Sequence, residues 1–285
     1  MNLTEPYLRK RSDGSRPFQN NLLKNPIDVF KDYGNSCIHY GEKNGKYTVI
    51  KLLLCNVPIK DAVDYEEVVD SLTNVYPYKE YLDEFIYYSL HDMNFEILII
   101  NDNVDWKTEK NNVLSIKFEL LKDRKTAFIK SIKVLSQKAY QLELVEKFGI
   151  NRTLKPLIYS TSNFEGYLSD VSVVGTKRTD ITLFPGDVYL ITFDKNYQTI
   201  NIFEFKKHTE YGYGIIEDQS FRKYLFKDRK KYYGLARLTK KLNKDYFFNV
   251  IYSTRYGEER KVKIEKINTQ LYLLQSKMVN YYNYN

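Results

Sequence analysis

Pro185-Gly186-Asp187-Val188-Tyr189-Leu190-Ile191-Thr192-Phe193, followed after 194–198 by Thr199-Ile200-Asn201-Ile202-Phe203-Glu204-Phe205-Lys206-Lys207, is the stretch whose reading decides the fold. Two apolar runs rich in β-branched and aromatic residues, divided by a short polar segment, predict a β-hairpin. Side chains on a strand alternate between faces, so Ile200, Ile202, Glu204 and Lys206 share one face and Asn201, Phe203 and Phe205 the other. A turn within 194–198 makes paired residue numbers sum to about 391 to 393, which sets Asp187 opposite a residue between Glu204 and Lys206. An even sum turns Asp187 to the other face, and both registers stay open at this point.

An acid at the start of one strand and an acid and an ammonium near the end of its neighbour make a chemically directed group. Facing carboxylates repel unless a cation lies between them. Mg²⁺ prefers oxygen ligands and takes one or two carboxylates together with water and phosphate. A nearby ammonium stabilises phosphate charge or orients an attacking water. The competing reading is a surface hairpin with a cross-strand ion pair.

Asp187, Glu204 and Lys206 resemble the metal-binding motif of the PD-(D/E)XK nuclease superfamily, the restriction-endonuclease-like fold. The resemblance covers an ordered set of elements over about residues 125 to 255, but only three residues as a motif. It implies a Mg²⁺-dependent phosphodiesterase acting on DNA, with Mn²⁺ as an alternative occupant. Asp187 and Glu204 then hold the metal, and Lys206 assists the nucleophile. The family's Pro-Asp stands here as Pro185-Gly186-Asp187, so the earlier Asp180 competes for the role of first ligand. The helix that precedes the hairpin in that fold often adds an acid, for which Glu143 and Glu146 are candidates, with Glu165 in the following loop a third. Acid-x-Lys also occurs at Asp105, Asp123, Asp228 and Glu259, but only Glu204-Phe205-Lys206 ends an apolar β run whose hairpin partner carries an acid.

The fold expected is α/β: a restriction-endonuclease-like mixed sheet flanked by helices over 125–285, preceded by an N-terminal α+β region over 1–124 that serves recognition or dimerisation. A chain of 285 residues buries a sizeable core, and 15% aromatic content excludes a disordered polymer. No apolar run is long enough to span a membrane, and the opening residues lack the apolar core of a signal peptide, so a cytoplasmic protein with no membrane partner is expected. Cys37, Cys55 and three histidines (His39, His91, His208) show no zinc spacing. Cys55 is expected in the core and Cys37 in a loop.

Charge is distributed unevenly. The net charge is +8, and residues 217–244 carry ten basic side chains against three acids. Nearly all the excess therefore follows the candidate site, which suits a polyanionic partner. Phe221, Tyr224, Leu225, Tyr232, Leu235 and Leu238 recur at helical spacing, which predicts a basic amphipathic helix over 218–244 capped by Asp218. Lys207 at the end of the hairpin and Arg222, Lys223, Lys227, Lys230 and Lys231 of this helix are the candidate phosphate contacts. Gln219 and Tyr224 stand one residue too far apart for the Gln-x-x-x-Tyr signature of some exonucleases of that superfamily. Cutting both strands of a duplex calls for two copies of the site, so a homodimer is expected. The rival function is a nucleic-acid-binding protein without catalysis, and a third is an assembly protein with an acidic partner.

Elsewhere, strands are expected at 48–54, 95–100, 113–118, 246–253 and 261–267, and helices at 66–72 and 78–90. Residues 127–148 read as one amphipathic helix, 168–184 as a further strand region and 280–285 as a frayed tail. Neither a low-complexity segment nor an internal repeat is visible.

Overall fold

A computed structural model describes residues 1–4, 33–75, 77–101, 111–122, 126–148, 186–194, 196–208, 216–226, 228–242, 245–254 and 261–280. The chain is α/β and groups into two compact units. The first comprises Met1–Arg9 and Cys37–Pro185, the second Lys10–Ser36 and Gly186–Asn285. The grouping changes at 9/10, 36/37 and 185/186, where the sequence suggested one boundary at 124/125.

In the first unit, β1 (Leu3–Thr4) and β2 (Tyr33–Lys43, which enters this unit at Cys37) both pair antiparallel with β3 (Lys46–Cys55). The β2–β3 connection is Asn44-Gly45, both at positive φ (53° and 80°), which is the backbone a two-residue hairpin with right-handed twist requires. Cys37 lies in β2 instead of the expected loop. After β3 come α1 (Tyr65–Thr73) and α2 (Tyr78–Leu90), which return the chain to β4 (Met93–Asn101), parallel to β3. The carboxylate of Asp64 caps α1 by accepting from the Glu66 amide, and Glu66 and Glu67 sit in its first turn, where the helix dipole favours acids. β5 (Asn112–Leu120) and β6 (Ala127–Ser136) add antiparallel. Val49, Leu53, Ile97, Ile99 and Leu114 are fully buried. β3 and β4 read as near-continuous apolar runs because both of their faces are covered.

The helix expected over 127–148 is a strand up to Ser136 followed by α3 (Gln137–Phe148). Ile129, Ile132 and Val134 are β-branched and pair with Phe118, Ile116 and Leu114 of β5. Their pairing with a neighbouring strand outweighs a helical spacing that their own propensity opposes.

The second unit repeats this order. β7 (Gly186–Phe193) and β8 (Thr199–His208) form the expected hairpin. Asp194 Oδ1 accepts from the amides of Asn196 and Gln198, and Tyr197 at φ 58° completes the turn. A 3-10 turn (Ile216–Asp218), α4 (Phe221–Leu225) and α5 (Arg229–Leu242) lead to β9 (Phe247–Thr254), parallel to β8. β10 (Lys261–Asn268) and β11 (Leu273–Asn280) follow antiparallel. Each unit is thus a hairpin, a helical crossover to a parallel strand and two further antiparallel strands. The repeat lies in topology, where the sequence shows none.

The basic helix expected over 218–244 is broken into these pieces. Ser220, not Asp218, caps α4 by accepting from the Arg222 amide. α5 packs through Tyr232, Leu235, Leu238 and Leu242. The Phe221 and Tyr232 rings meet edge to face at 4.6 Å, and Thr199 Oγ1 donates to the Leu242 carbonyl at 2.6 Å, satisfying an orphan acceptor at the helix end. On β10 the buried Glu265 accepts from the Phe221 amide at 2.7 Å and from the Tyr252 hydroxyl at 2.9 Å, which pins the start of α4 to the sheet. β11 was not foreseen: its side chains are almost all exposed, so no apolar alternation marks it. The expected strand region 168–184 and the tail 281–285 lie outside the described residues.

Candidate functional site

Register decides what the hairpin brings together. Leu190 pairs with Phe203 and Ile191 with Ile202, which is the odd-sum register. Counting back along β7, position 187 falls on the face of Glu204 and Lys206, although the described ladder begins at Leu190. Asp187 lies in β7, but its side chain is outside the described residues, as are those of Lys207, His208, Lys227 and Lys230.

Glu204 is completely buried, an expensive place for a carboxylate unless cations meet it. Two do. Lys231 Nζ, from the first turn of α5, lies 2.7 Å from Glu204 Oε1, and Lys206 Nζ lies 3.4 Å from the same oxygen. Lys206 also donates to Asp228 Oδ2 at 2.7 Å. Its ammonium stands 5.5 Å from the ring centroids of both Tyr224 and Tyr232, where ring quadrupoles attract it. Acid and ammonium thus alternate from Lys231 through Glu204 and Lys206 to Asp228. Burial, reinforced by the Glu204 carboxylate, pushes the Tyr232 phenol well above its ordinary range, with Lys231 opposing. Tyr232 therefore remains a neutral hydroxyl at physiological pH.

Three of these neighbours escaped sequence reading. Asp228 was a chance acid-x-Lys match, Lys231 a candidate phosphate contact and Tyr232 a core residue. Lys231 is instead turned inward onto Glu204. The signal was present in helical phase: Asp228 and Lys231 flank the stripe Tyr232, Leu235, Leu238 that packs on the sheet.

The other candidates separate. Glu143, on α3 of the first unit, takes Lys117 Nζ at 3.2 Å. Glu146 lies on the same helix with its side chain outside the described residues, and Asp180 and Glu165 lie outside them altogether. Arg222 and Lys223 are exposed, as phosphate contacts need to be. Tyr224 donates to Gln219 Oε1 at 2.8 Å, so these two residues do touch despite their spacing.

Among the described residues, no three acid, histidine or cysteine side chains are grouped as metal ligands. Glu204 and Asp228 nevertheless supply oxygen donors of the type a hard cation takes, linked through one ammonium. Among the described residues, no helix is long and apolar enough to cross a membrane. No protein-family model matches the chain, and neither the curated proteins nor the solved structures contain a match to it.

Proposed function

We propose that the protein is a metal-dependent DNA endonuclease of the restriction-endonuclease-like type, with its site on the helix-covered face of β8. The observation that carries this reading is the buried Glu204 carboxylate two residues from Lys206, on a strand whose described pairing with β7 runs in the odd-sum register. Mg²⁺, which Glu204 would hold with Asp187, supplies a water of lowered pKa and an electrophile for the phosphate oxygens. Asp228 and the Tyr224 and Tyr232 rings hold the Lys206 ammonium in a fixed direction, where it orients water or binds a phosphate oxygen. Lys231 neutralises Glu204 until substrate and cation arrive. The exposed cations of α4 and α5 bind flanking phosphates.

A second reading has its own observation. Lys51 on β3 and Glu84 on α2 form a buried 2.7 Å pair in the first unit, which lacks an acid-x-Lys run on that strand. A buried pair between strand and crossover helix therefore serves the fold there, and the Glu204 pair does the same in a protein that binds nucleic acid without cutting it. Plasmid digestion in Mg²⁺ against EDTA separates the two. The nuclease reading expects cleavage in Mg²⁺ only, lost in Glu204→Gln and in Lys206→Ala with circular dichroism unchanged. Undiminished cutting by the triple variant Asp187→Ala, Glu204→Ala, Lys206→Ala overturns it.

A further inference from the structure

Phe226 is 89% exposed at the junction between α4 and α5, an unusual position for a side chain whose burial is worth about 2 kcal/mol. Its exposure follows from helical phase: Phe221 fills the inward face of α4, and Phe226, five residues on, falls about 140° round the helix from it. Three residues later an exposed stripe begins on α5, comprising Arg229, Tyr233, Arg237 and Lys240 at spacings of four, four and three. Tyr233 is 45% exposed, and the Arg229 guanidinium lies 5.4 Å from its ring centroid. Aromatic and cationic groups thus alternate along the outer face, and the chain joins that face directly to the site. Asp228, which holds Lys206, precedes Arg229 and lies two residues after Phe226.

We infer that Phe226 and Tyr233 are a stacking platform for unpaired bases, so that single-stranded or locally unpaired nucleic acid, which a supercoiled plasmid also exposes, is bound in preference to fully paired duplex. Cations alone suffice to grip the phosphates of a duplex, whose base faces are hidden. Exposed rings between cations gain only when base faces are free to lie on them, the arrangement by which single strands are held without reading sequence. A membrane surface fits less well, because an interfacial helix needs a continuous apolar face and that of α5 is already packed on its sheet. The inference rests on the nucleic-acid part of the function proposed above, but not on cleavage.

It is tested in EDTA with the full chain and an oligonucleotide carrying 2-aminopurine, presented alone or annealed to its complement. The single strand is expected to bind at least about tenfold more tightly than the duplex, with the 2-aminopurine fluorescence quenched by stacking. Phe226→Ala and Tyr233→Ala each weaken single-strand binding about tenfold and relieve the quenching, while Phe226→Trp retains both. Both truncations lie at exposed sites, so duplex binding and thermal stability stay unchanged. Equal affinity for the two forms, or quenching unaffected by Phe226→Ala, overturns the platform. So does a Phe226-dependent affinity for anionic phosphatidylserine vesicles exceeding that for the single strand. A platform that stacks bases in a protein inert in Mg²⁺ supports this inference and sinks the nuclease; cleavage without stacking does the reverse.

Discussion

Lys51 on β3 and Glu204 on β8 occupy one position in two units of matching topology, yet carry opposite charges. Each is the sixth residue of its strand. Lys51 pairs with Ile97 and Glu204 with Val250 across the parallel ladder, the same forty-six-residue step. Each meets its counter-ion from the crossover helix at 2.7 Å, Glu84 of α2 in one unit and Lys231 of α5 in the other. The surroundings differ. The Lys51–Glu84 pair is sealed, with side chains 1% and 5% exposed. Around Glu204, Lys206 and Lys231 remain 16% and 19% exposed and Asp228 27%. The first pair is sealed on both sides, while the equally buried Glu204 is met by cations that are partly exposed.

The comparison is broken most directly through activity. Glu204→Gln is expected to lower Mg²⁺-dependent cleavage about a hundredfold or more, measured as initial rates on supercoiled plasmid. The double replacement Lys51→Met, Glu84→Leu should leave those rates within about twofold and keep or raise stability, since buried pairs exchange for apolar ones at little cost. Equal losses from both would mean that the two pairs do the same work.

Stability provides the next contrast. Glu84→Leu alone removes the carboxylate 2.7 Å from the buried Lys51 ammonium and should cost about 3–5 kcal/mol in denaturant unfolding. Lys231→Met should cost less, roughly 1–3 kcal/mol, because Lys206 remains 3.4 Å from Glu204.

Alkaline pH separates the units more gently. Burial, with a neighbouring carboxylate adding to it, raises Tyr140 in the first unit and Tyr232 and Tyr252 in the second above the ordinary phenol value of 10.0. A group protonated in the folded chain and ionised in the unfolded one favours folding fully below the unfolded pKa, and that contribution is lost as pH rises beyond it. Tm should therefore fall as pH rises above about 10, and Tyr232→Phe or Tyr252→Phe should each flatten that fall.

The smallest effects belong to the hairpin turns. Gly45→Ala should cost about 1 kcal/mol at φ 80°, although nothing crowds the added Cβ. Tyr197→Gly, relieving a tyrosine at φ 58°, should cost nothing or stabilise by a few tenths of a kcal/mol.

The hairpin, the crossover helices and most strands were legible because each has a period of its own: two along Ile200, Ile202 and Glu204, and three to four along Tyr232, Leu235 and Leu238. Residues 127–136 were misread because Ile129, Ile132 and Val134 fit a helical spacing until β5 is there to pair with them. β11 carries no period because both its faces meet solvent. The shared topology was hidden because matching positions keep burial but not identity, as Lys51 and Glu204 show. Of the site, Glu204-Phe205-Lys206 announced itself by spacing. Asp228 and Lys231 join it only through the packing phase of a helix more than twenty residues away in sequence.

That forty-six-residue step sets an order of events for folding. The β2–β3 hairpin, joined by Asn44-Gly45, closes over two residues and should form within microseconds, whereas parallel pairing of β3 with β4 must wait until α1 and α2 have spanned the gap. Pulsed hydrogen exchange during refolding should find amides at 39–50 protected before those at 94–101, and simultaneous protection would show that the crossover, not the turn, nucleates the unit.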